Sequence, residues 1–197
     1  MNFLNDNELW PGLVINMSSR SMVGGLIRFA LRRGFRELQS RYGELAGDVC
    51  PNHDAIVVEY KGALCVGEAA FPVATIRTLA EYNDWIESGE QFNLRILEPT
   101  GVSKESQKQA ADYWVRKILG TLYDFKAIPY LGIKSLFGGI TPVKDWEFAF
   151  YCTEGVAAAY AFGANVSVWG KEHPTPFTTL KRACQGVFRV IKRETNT

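Results

Sequence analysis

The sequence has almost no net charge, few histidines and no long apolar run. Its 22 lysines and arginines nearly match its 21 aspartates and glutamates, which leaves a net charge of +1. A balanced charge gives the chain no overall field to attract nucleic acid or an anionic membrane, so we expect no nucleic-acid partner. No stretch approaches the ~20 apolar residues that a membrane-spanning helix needs, so we expect no transmembrane segment.

An export signal is also missing from the start of the sequence. The opening residues, MNFLNDNELWPGL, contain neither a basic segment nor an unbroken apolar segment, which predicts a cytoplasmic protein. In that compartment the four cysteines are expected to stay reduced. Their spacing matches no four-ligand zinc pattern, so we expect no metal. Cys50 and His53 form a C-x-x-H half-site, and a small zinc-stabilised protein that uses them with Cys65 is kept as a minor alternative.

The composition is that of one folded domain. Hydrophobic residues make up 47% of the chain and charged residues 22%, and 197 residues suffice for one buried core. No internal repeat or low-complexity segment divides the chain. We therefore expect a single domain over residues 1–197.

Helical and strand-like patterns alternate along the chain without a regular order. Strands are predicted at GLVINM, FNLRILEP, EFAF and GVFRVIK. Helices are predicted from Ser21 to Gly34, after Ser103, through TEGVAAAYAFG to Gly163, and at TTLKRAC. The prolines and glycines of residues 124–145 predict a loop whose length suits a lid. Such a mixture predicts an α+β fold.

A β-hairpin is predicted from residue 55 to residue 69. Two β-rich runs flank Lys61 and Gly62, and glycine supplies the positive φ of a tight turn. A two-residue turn there sets His53 opposite Ala70 and places Glu68 on the same face, about 7–8 Å from His53 at the backbone. A slip of one residue would instead turn Glu68 to the other face, as an ordinary exposed carboxylate.

Cys152 lies where an apolar run becomes a helix, in EFAFYCTEGVAAAYAFG. Unpaired backbone N–H groups and the positive end of the helix dipole favour a thiolate at such a position. The alternative is a small buried apolar residue between Tyr151 and Val156. A nucleophilic cysteine also needs a base, for which the chain offers His53 and His173.

The two histidines differ in their surroundings. His173 lies in the polar loop GKEHPTPF, where an exposed histidine without a special role is expected. His53 lies at the mouth of the predicted hairpin, just before its first strand, and Glu68 on the same face is able to orient its imidazole, as the third member of a triad does. Asp54 must point away from His53, while Glu154 complements the helix dipole in the first turn.

A basic run and a group of aromatic residues each allow more than one interpretation. The basic run RFALRRGFR, from Arg28 to Arg36, is predicted to be a solvated helix face. Aromatic residues near the candidate nucleophile either line a substrate cleft or belong to the core. These aromatic residues are Tyr151, Tyr130, Phe137 and Trp146.

Four short stretches resemble motifs of the circularly permuted branch of NlpC-like, papain-fold cysteine hydrolases, the YiiX/YaeF-like group. The stretches are PGLVIN, NHDAIVV, CVGEA and FYCTEGVAAAY, and they place the histidine before the cysteine, as in the permuted order. The match covers about residues 10–70 and 145–165. Asn52 and Thr153 stand in place of serine, Asp54 in place of a small apolar residue and Gly155 in place of leucine.

The resemblance implies a papain-like fold in which a small antiparallel sheet or barrel packs against helices. It implies Cys152 as the nucleophile, His53 as general base and then acid, and Glu68 as the residue that orients the imidazole. The reaction would be acyl transfer from a peptide, another amide or an ester through a thioester, with the backbone N–H of Cys152 helping to hold the oxyanion. No cofactor is implied.

The sequence leaves a second class of function open. A papain-like scaffold can also serve as a binding or interaction module without chemistry. In that case Arg28, Arg32 and Arg33 are candidates for a partner surface. The residues do not choose between hydrolysis and transfer, and they specify neither the natural substrate nor the oligomeric state.

Overall fold

The computed structural model of the chain describes residues 3–124 and 149–193. Tyr130, Phe137 and Trp146 lie outside these residues, and so does the predicted lid loop except for Asp124. The strands are β1 (Val14–Ser19), β2 (His53–Tyr60), β3 (Ala63–Ala69), β4 (Ala74–Thr78), β5 (Gln91–Pro99), β6 (Leu122–Tyr123), β7 (Ala149–Phe150) and β8 (Phe188–Arg193). The helices are α1 (Met22–Tyr42), α2 (Leu79–Glu87), α3 (Lys104–Tyr113), α4 (Cys152–Ala158) and α5 (Pro176–Cys184).

A six-stranded sheet forms the centre of the fold, with the strand order β4-β3-β2-β1-β5-β8. Every neighbouring pair in it is antiparallel. The short strands β6 and β7 form a separate parallel pair. Helices pack against the sheet, so the predicted α+β class with an antiparallel sheet is confirmed.

The β2–β3 hairpin has the predicted register. Ile56 lies opposite Gly67 and Tyr60 opposite Ala63, which leaves Lys61 and Gly62 as a two-residue turn. Both turn residues have positive φ, +52° and +79°, as a type I′ turn requires. The turn therefore fixes which residues of β2 and β3 share a face.

The two faces of the sheet bury different sets of side chains. Ile56 and Val58 on one face pack with Val156 of α4 and with Trp114, which begins the π-helical segment Trp114–Ile118 directly after α3. On the other face, Ala55 and Val57 join a cluster that contains residues of α2. Because neighbouring residues of β2 face opposite layers, His53 and Asp54 also point to different sides of the sheet.

Helix α1 does not end at Gly34 as predicted but continues to Tyr42. Ile27, Leu31, Phe35 and Leu38 recur at helical spacing and are all buried in one cluster. A Cβ at Gly34 would come within 3.2 Å of the Phe177 ring, so the missing side chain gives α5 room to approach. Burial of this continuous stripe outweighs the helix-ending tendency of one glycine.

Strand β4 and helix α2 were not predicted from the sequence. Thr78 caps α2 by accepting from the backbone N–H of Glu81, and the Glu81 carboxylate accepts from the backbone N–H of Thr78. This reciprocal capping box has the signature T-x-x-E, which is visible in the sequence at TLAE. The two elements matter because they bring Arg77 and Tyr82 to the candidate site.

The remaining expectations concern the surface and the cysteines. Arg32, Arg33 and Arg36 are exposed on α1, as expected for a solvated face. The expectation was wrong for Arg28, which is half-buried because its guanidinium donates to the carbonyl of Ser19. In the described part of the chain, no helix is both long enough and apolar enough to cross a membrane. All four cysteines are free thiols.

Candidate active site

His53 and Glu68 meet at one end of the hairpin. His53 is the first residue of β2 and Glu68 lies near the end of β3, on the same face. The His53 Nε2 and Glu68 Oε2 atoms are 2.9 Å apart, and their side chains are only 13% and 3% exposed. The contact expected from the hairpin register is therefore present.

Two more side chains hold the Glu68 carboxylate. Arg77 Nε donates to Oε1 at 2.7 Å and the Tyr82 hydroxyl donates to Oε2 at 2.8 Å. Burial alone would raise the pKa of Glu68, but the hydrogen bonds and the positive charge around it lower the pKa to about 2. Glu68 is thus a fixed anion over the whole physiological range of pH.

The imidazole of His53 lies between this anion and Cys152. Burial by itself lowers the pKa of His53, but the hydrogen bonds and charges of Cys152 and Glu68 outweigh it and raise the pKa to about 10. Glu68 engages Nε2, which leaves Nδ1 as the ring nitrogen that Glu68 does not occupy. A protonated ring in this position is the kind of neighbour that stabilises thiolates in proteins.

Cys152 is the first residue of α4. The first intrahelical bond runs from the Gly155 N–H to the Tyr151 carbonyl, so the N–H of Cys152 has no acceptor within the helix. Tyr151 also provides no side-chain cap. The start of α4 therefore combines the sulfur with backbone N–H groups that can hold a negatively charged oxygen.

A cleft of about 500 Å³ opens beside this group. Its lining includes His53, Glu68, Asn52, Arg77, Gln91 and Tyr123. Cys152 does not line the cleft, and the residue is only 1% exposed. Because the side chain is buried, Sγ has to become exposed before a substrate carbonyl can touch it.

A second buried carboxylate, Asp54, lies on the opposite face of β2. It accepts hydrogen bonds from Asn16 Nδ2 at 2.6 Å and from the hydroxyls of Thr153 and Thr179, both at 2.7 Å. Burial raises the pKa of Asp54, although its three hydrogen bonds act in the other direction. The sequence predicted that Asp54 points away from His53, but it gave no sign of these partners.

The predicted substrate-binding aromatics are placed only in part. Tyr151 is buried, and its hydroxyl contacts His173 Nε2 at 3.1 Å and donates to the carbonyl of Pro174. Tyr151 is thus directed towards residues 173–174, and it does not line the cleft. The expectation of an exposed, unengaged His173 was wrong, because this residue is half-buried against Tyr151.

The zinc alternative is not supported by the positions of its three residues. Within residues 3–124 and 149–193, no group of three or more histidine, cysteine, aspartate or glutamate side chains could hold a metal ion. His53 instead pairs with Glu68. Burial raises the pKa of the Cys50 thiol to about 12, which works against the thiolate that zinc needs.

Comparison with known proteins identifies a fold but not a family. No family model matches the chain, and no curated protein matches it. A crystal structure of the metalloprotein yiiX from Escherichia coli O157:H7, described as DUF1105, superposes with a TM-score of 0.60 at 16% sequence identity. The superposition covers 96% of this chain and 99% of that one. The chain therefore has the YiiX-like fold over nearly its whole length.

Proposed function

We propose that this protein is a cysteine hydrolase of the permuted NlpC type, which cleaves an amide or ester bond through a thioester on Cys152. The observation that carries the proposal is the position of His53, whose imidazole is hydrogen-bonded to Glu68 and interacts with Cys152. A nucleophile, a base and an orienting carboxylate in this order form the usual arrangement of a catalytic triad. The YiiX-like fold is compatible with this assignment.

In the proposed reaction, the Cys152 thiolate attacks the carbonyl carbon of a peptide, another amide or an acyl ester. A bond forms between Sγ and that carbon, and the oxyanion is held by the backbone N–H of Cys152. His53 gives its proton to the departing nitrogen or oxygen, and the carbon–heteroatom bond breaks. A water molecule or an amine then attacks the thioester while His53 takes a proton from it, and the thiolate leaves.

Glu68 and Arg77 have supporting roles in this scheme. Glu68 fixes the orientation of the ring through Nε2 and stabilises its positive charge. Arg77 neutralises the second carboxylate oxygen, and its guanidinium lies 4.2 Å from the centre of the Trp85 ring. This stacking holds Arg77, and through it Glu68, in one place.

The description of the structural neighbour as a metalloprotein raises the question of a metal in this site. Glu68 is the acidic side chain beside His53, and its oxygens already accept from His53, Arg77 and Tyr82. A guanidinium bound to the carboxylate also repels a cation. The donor set around His53 does not fit a metal, and the proposed reaction uses none.

A non-catalytic binding module is the second candidate. It is favoured by the burial of Cys152, which does not line the cleft. In this case the cleft would bind a partner and the Cys152 sulfur would be unreactive. Acylation of Cys152 separates the two candidates directly.

The test uses p-nitrophenyl acetate as a generic activated ester. We expect a burst of nitrophenol, an acetyl group on Cys152 by mass spectrometry, and a loss of turnover of about 100-fold or more in Cys152→Ala and in His53→Ala. Cys184→Ala is the matched control, because Cys184 is the least buried of the four thiols. A folded Cys152→Ala variant as active as the unmodified chain would contradict the proposal.

A further inference from the structure

Asp54 and Thr153 join the two residues on which the proposed reaction depends. Asp54 directly follows His53 in β2, and Thr153 directly follows Cys152 in α4. The Thr153 hydroxyl donates to Asp54 Oδ2 at 2.7 Å, and both side chains are 0% exposed. One hydrogen bond therefore connects the backbone next to the base with the backbone next to the nucleophile.

Among the described residues, two polar groups lie near the Cys152 sulfur besides His53. Sγ lies 4.0 Å from the Asn52 carbonyl and 3.9 Å from the Thr153 hydroxyl oxygen, both at the long limit for a hydrogen bond to sulfur. Helix α4 has no side-chain cap from Tyr151. The bond from Thr153 to Asp54 is a short polar contact that ties the first turn of α4 to the sheet.

The chemistry of Asp54 is unusual for a residue with a purely structural role. All its described hydrogen-bond donors are neutral, one amide and two hydroxyls. Burial of a carboxylate without a cationic hydrogen-bond donor is costly, and an apolar side chain would fill the same space with less cost. A charged acceptor has the advantage that it holds hydroxyl donors in a shorter and more directional bond than a neutral acceptor does.

We propose that Asp54 is a positioning residue, which fixes Cys152 against His53 through the hydroxyl of Thr153. Asp54 touches neither the sulfur nor the imidazole in this arrangement, and it acts through the backbone of its neighbour and through Thr153. The inference rests on the proposed function, because positioning matters only if Cys152 reacts. Displacement of a nucleophile by about 1 Å is enough to slow a reaction about 100-fold.

Thr179 supplies a matched control within the same cluster. Its hydroxyl donates to the same Asp54 oxygen at 2.7 Å, but Thr179 belongs to α5 and is not next to Cys152. The Thr179 hydroxyl also accepts from Trp169 Nε1 at 3.0 Å and contacts the Thr175 carbonyl at 3.1 Å. Thr179→Val therefore breaks more hydrogen bonds than Thr153→Val, and a purely structural role of the cluster predicts that Thr179→Val does the greater damage.

The experiment compares iodoacetamide alkylation of Cys152 and p-nitrophenyl acetate hydrolysis in Thr153→Val and Thr179→Val. We expect Thr153→Val to lower the alkylation rate and kcat by about 10-fold or more with little change in KM. Thr179→Val should change both rates by less than about threefold, although its urea midpoint should fall at least as far as that of Thr153→Val. Thr153→Ser, which keeps the hydroxyl, should restore the rate. If either valine variant does not fold, the corresponding alanine pair gives the same comparison.

A second comparison tests whether Thr153 acts together with Asp54. Asp54→Asn should slow the alkylation of Cys152 on its own. In the double variant with Thr153→Val, the alkylation rate should fall by a factor clearly smaller than the product of the factors for the two single variants. Two results would overturn the positioning role and leave the hydrolase proposal intact. One is an equal fall in alkylation rate in Thr153→Val and Thr179→Val, and the other is a double variant whose rate falls by the product of the two single factors. If His53→Ala leaves the alkylation rate of Cys152 unchanged, both proposals fail.

Discussion

The two buried carboxylates beside β2, Glu68 and Asp54, are surrounded by opposite kinds of partners. Glu68 contacts two cationic groups, Arg77 and His53, and its pKa falls to about 2. Among the described residues, Asp54 accepts from an amide and two hydroxyls, and burial raises its pKa. Glu68 is thus suited to hold charge on the imidazole, while Asp54 is suited to fix the positions of neutral groups. On one face of the sheet a carboxylate is suited to stabilise a positive charge, and on the other face a carboxylate is suited to hold neutral groups in position.

The largest effect on stability is expected for Glu68→Gln. This change keeps the size of the side chain but leaves Arg77 and the imidazole without the buried anion, so we expect a loss of about 3 kcal/mol in the free energy of unfolding at neutral pH. Urea unfolding followed by circular dichroism measures it. A loss below about 1 kcal/mol would show that the ion pairs of Glu68 contribute little.

Glu68 and Asp54 should have opposite effects on the acid limb of the stability curve, which is the change in the free energy of unfolding as the pH falls from about 5 to about 2. Because the pKa of Glu68 falls from 4.5 to about 2 on folding, its stabilisation is present above about pH 4.5 and is lost as the pH falls through about 2. The contribution of Glu68 to the free energy of unfolding that is lost in acid is on the order of 3 kcal/mol. The pKa of Asp54 is raised above 3.8, so its contribution is present below that pH and is lost as the pH rises through the folded value.

Urea midpoints between about pH 2 and 5 check this difference in sign. We expect Glu68→Gln to flatten the acid limb and Asp54→Asn to steepen it. If both variants flatten the acid limb, the two carboxylates do not differ in the way described.

A smaller loss of stability is expected for Asp54→Asn at neutral pH. The amide still accepts from the hydroxyls, and the cost of burying a charge disappears, so we expect a loss of about 1 kcal/mol in the free energy of unfolding. Urea unfolding beside Glu68→Gln gives the comparison under identical conditions. An equal loss in the two variants would contradict the distinction between an electrostatic and a positioning carboxylate.

The smallest effect is expected at the turn of the hairpin, away from both carboxylates. Lys61 has a φ of +52°, a conformation that asparagine tolerates better than lysine does. Lys61→Asn should therefore stabilise the chain by about 0.5 kcal/mol. Its acid limb should keep the unmodified shape, which makes it a control for changes in overall stability. A changed pH dependence would mean that the turn and the carboxylates are coupled.

The sequence predicted those features of the site that depend on local pattern. The two-residue turn at Lys61 and Gly62 was sufficient to set the register, and the register places Glu68 beside His53. The position of Cys152 at the start of a helix followed from the change of periodicity around it. These relations extend over only a few residues or over one hairpin, which is why pattern alone defines them.

The features that the sequence did not predict depend on contacts between distant segments. Thr179 lies 125 residues from Asp54 along the chain, and no local pattern connects them. Arg77 and Tyr82 were missed because the capping box at Thr78 was not recognised as the start of a helix. Asp54 and Thr153 are two positions at which the chain departs from the motifs it resembles, and the structure places them in contact.

The most direct test of the account is the rate of iodoacetamide alkylation at Cys152 as a function of pH, in the unmodified chain and in His53→Ala. The account holds that the protonated ring of His53, whose pKa is raised to about 10, makes Cys152 the reactive thiol of the chain. It predicts labelling of Cys152 that persists down to about pH 6 in the unmodified chain and that is lost at this pH in His53→Ala. Labelling that is equally slow in both proteins, with Cys152 reduced and the fold intact, would contradict the reactive pair and favour the binding module.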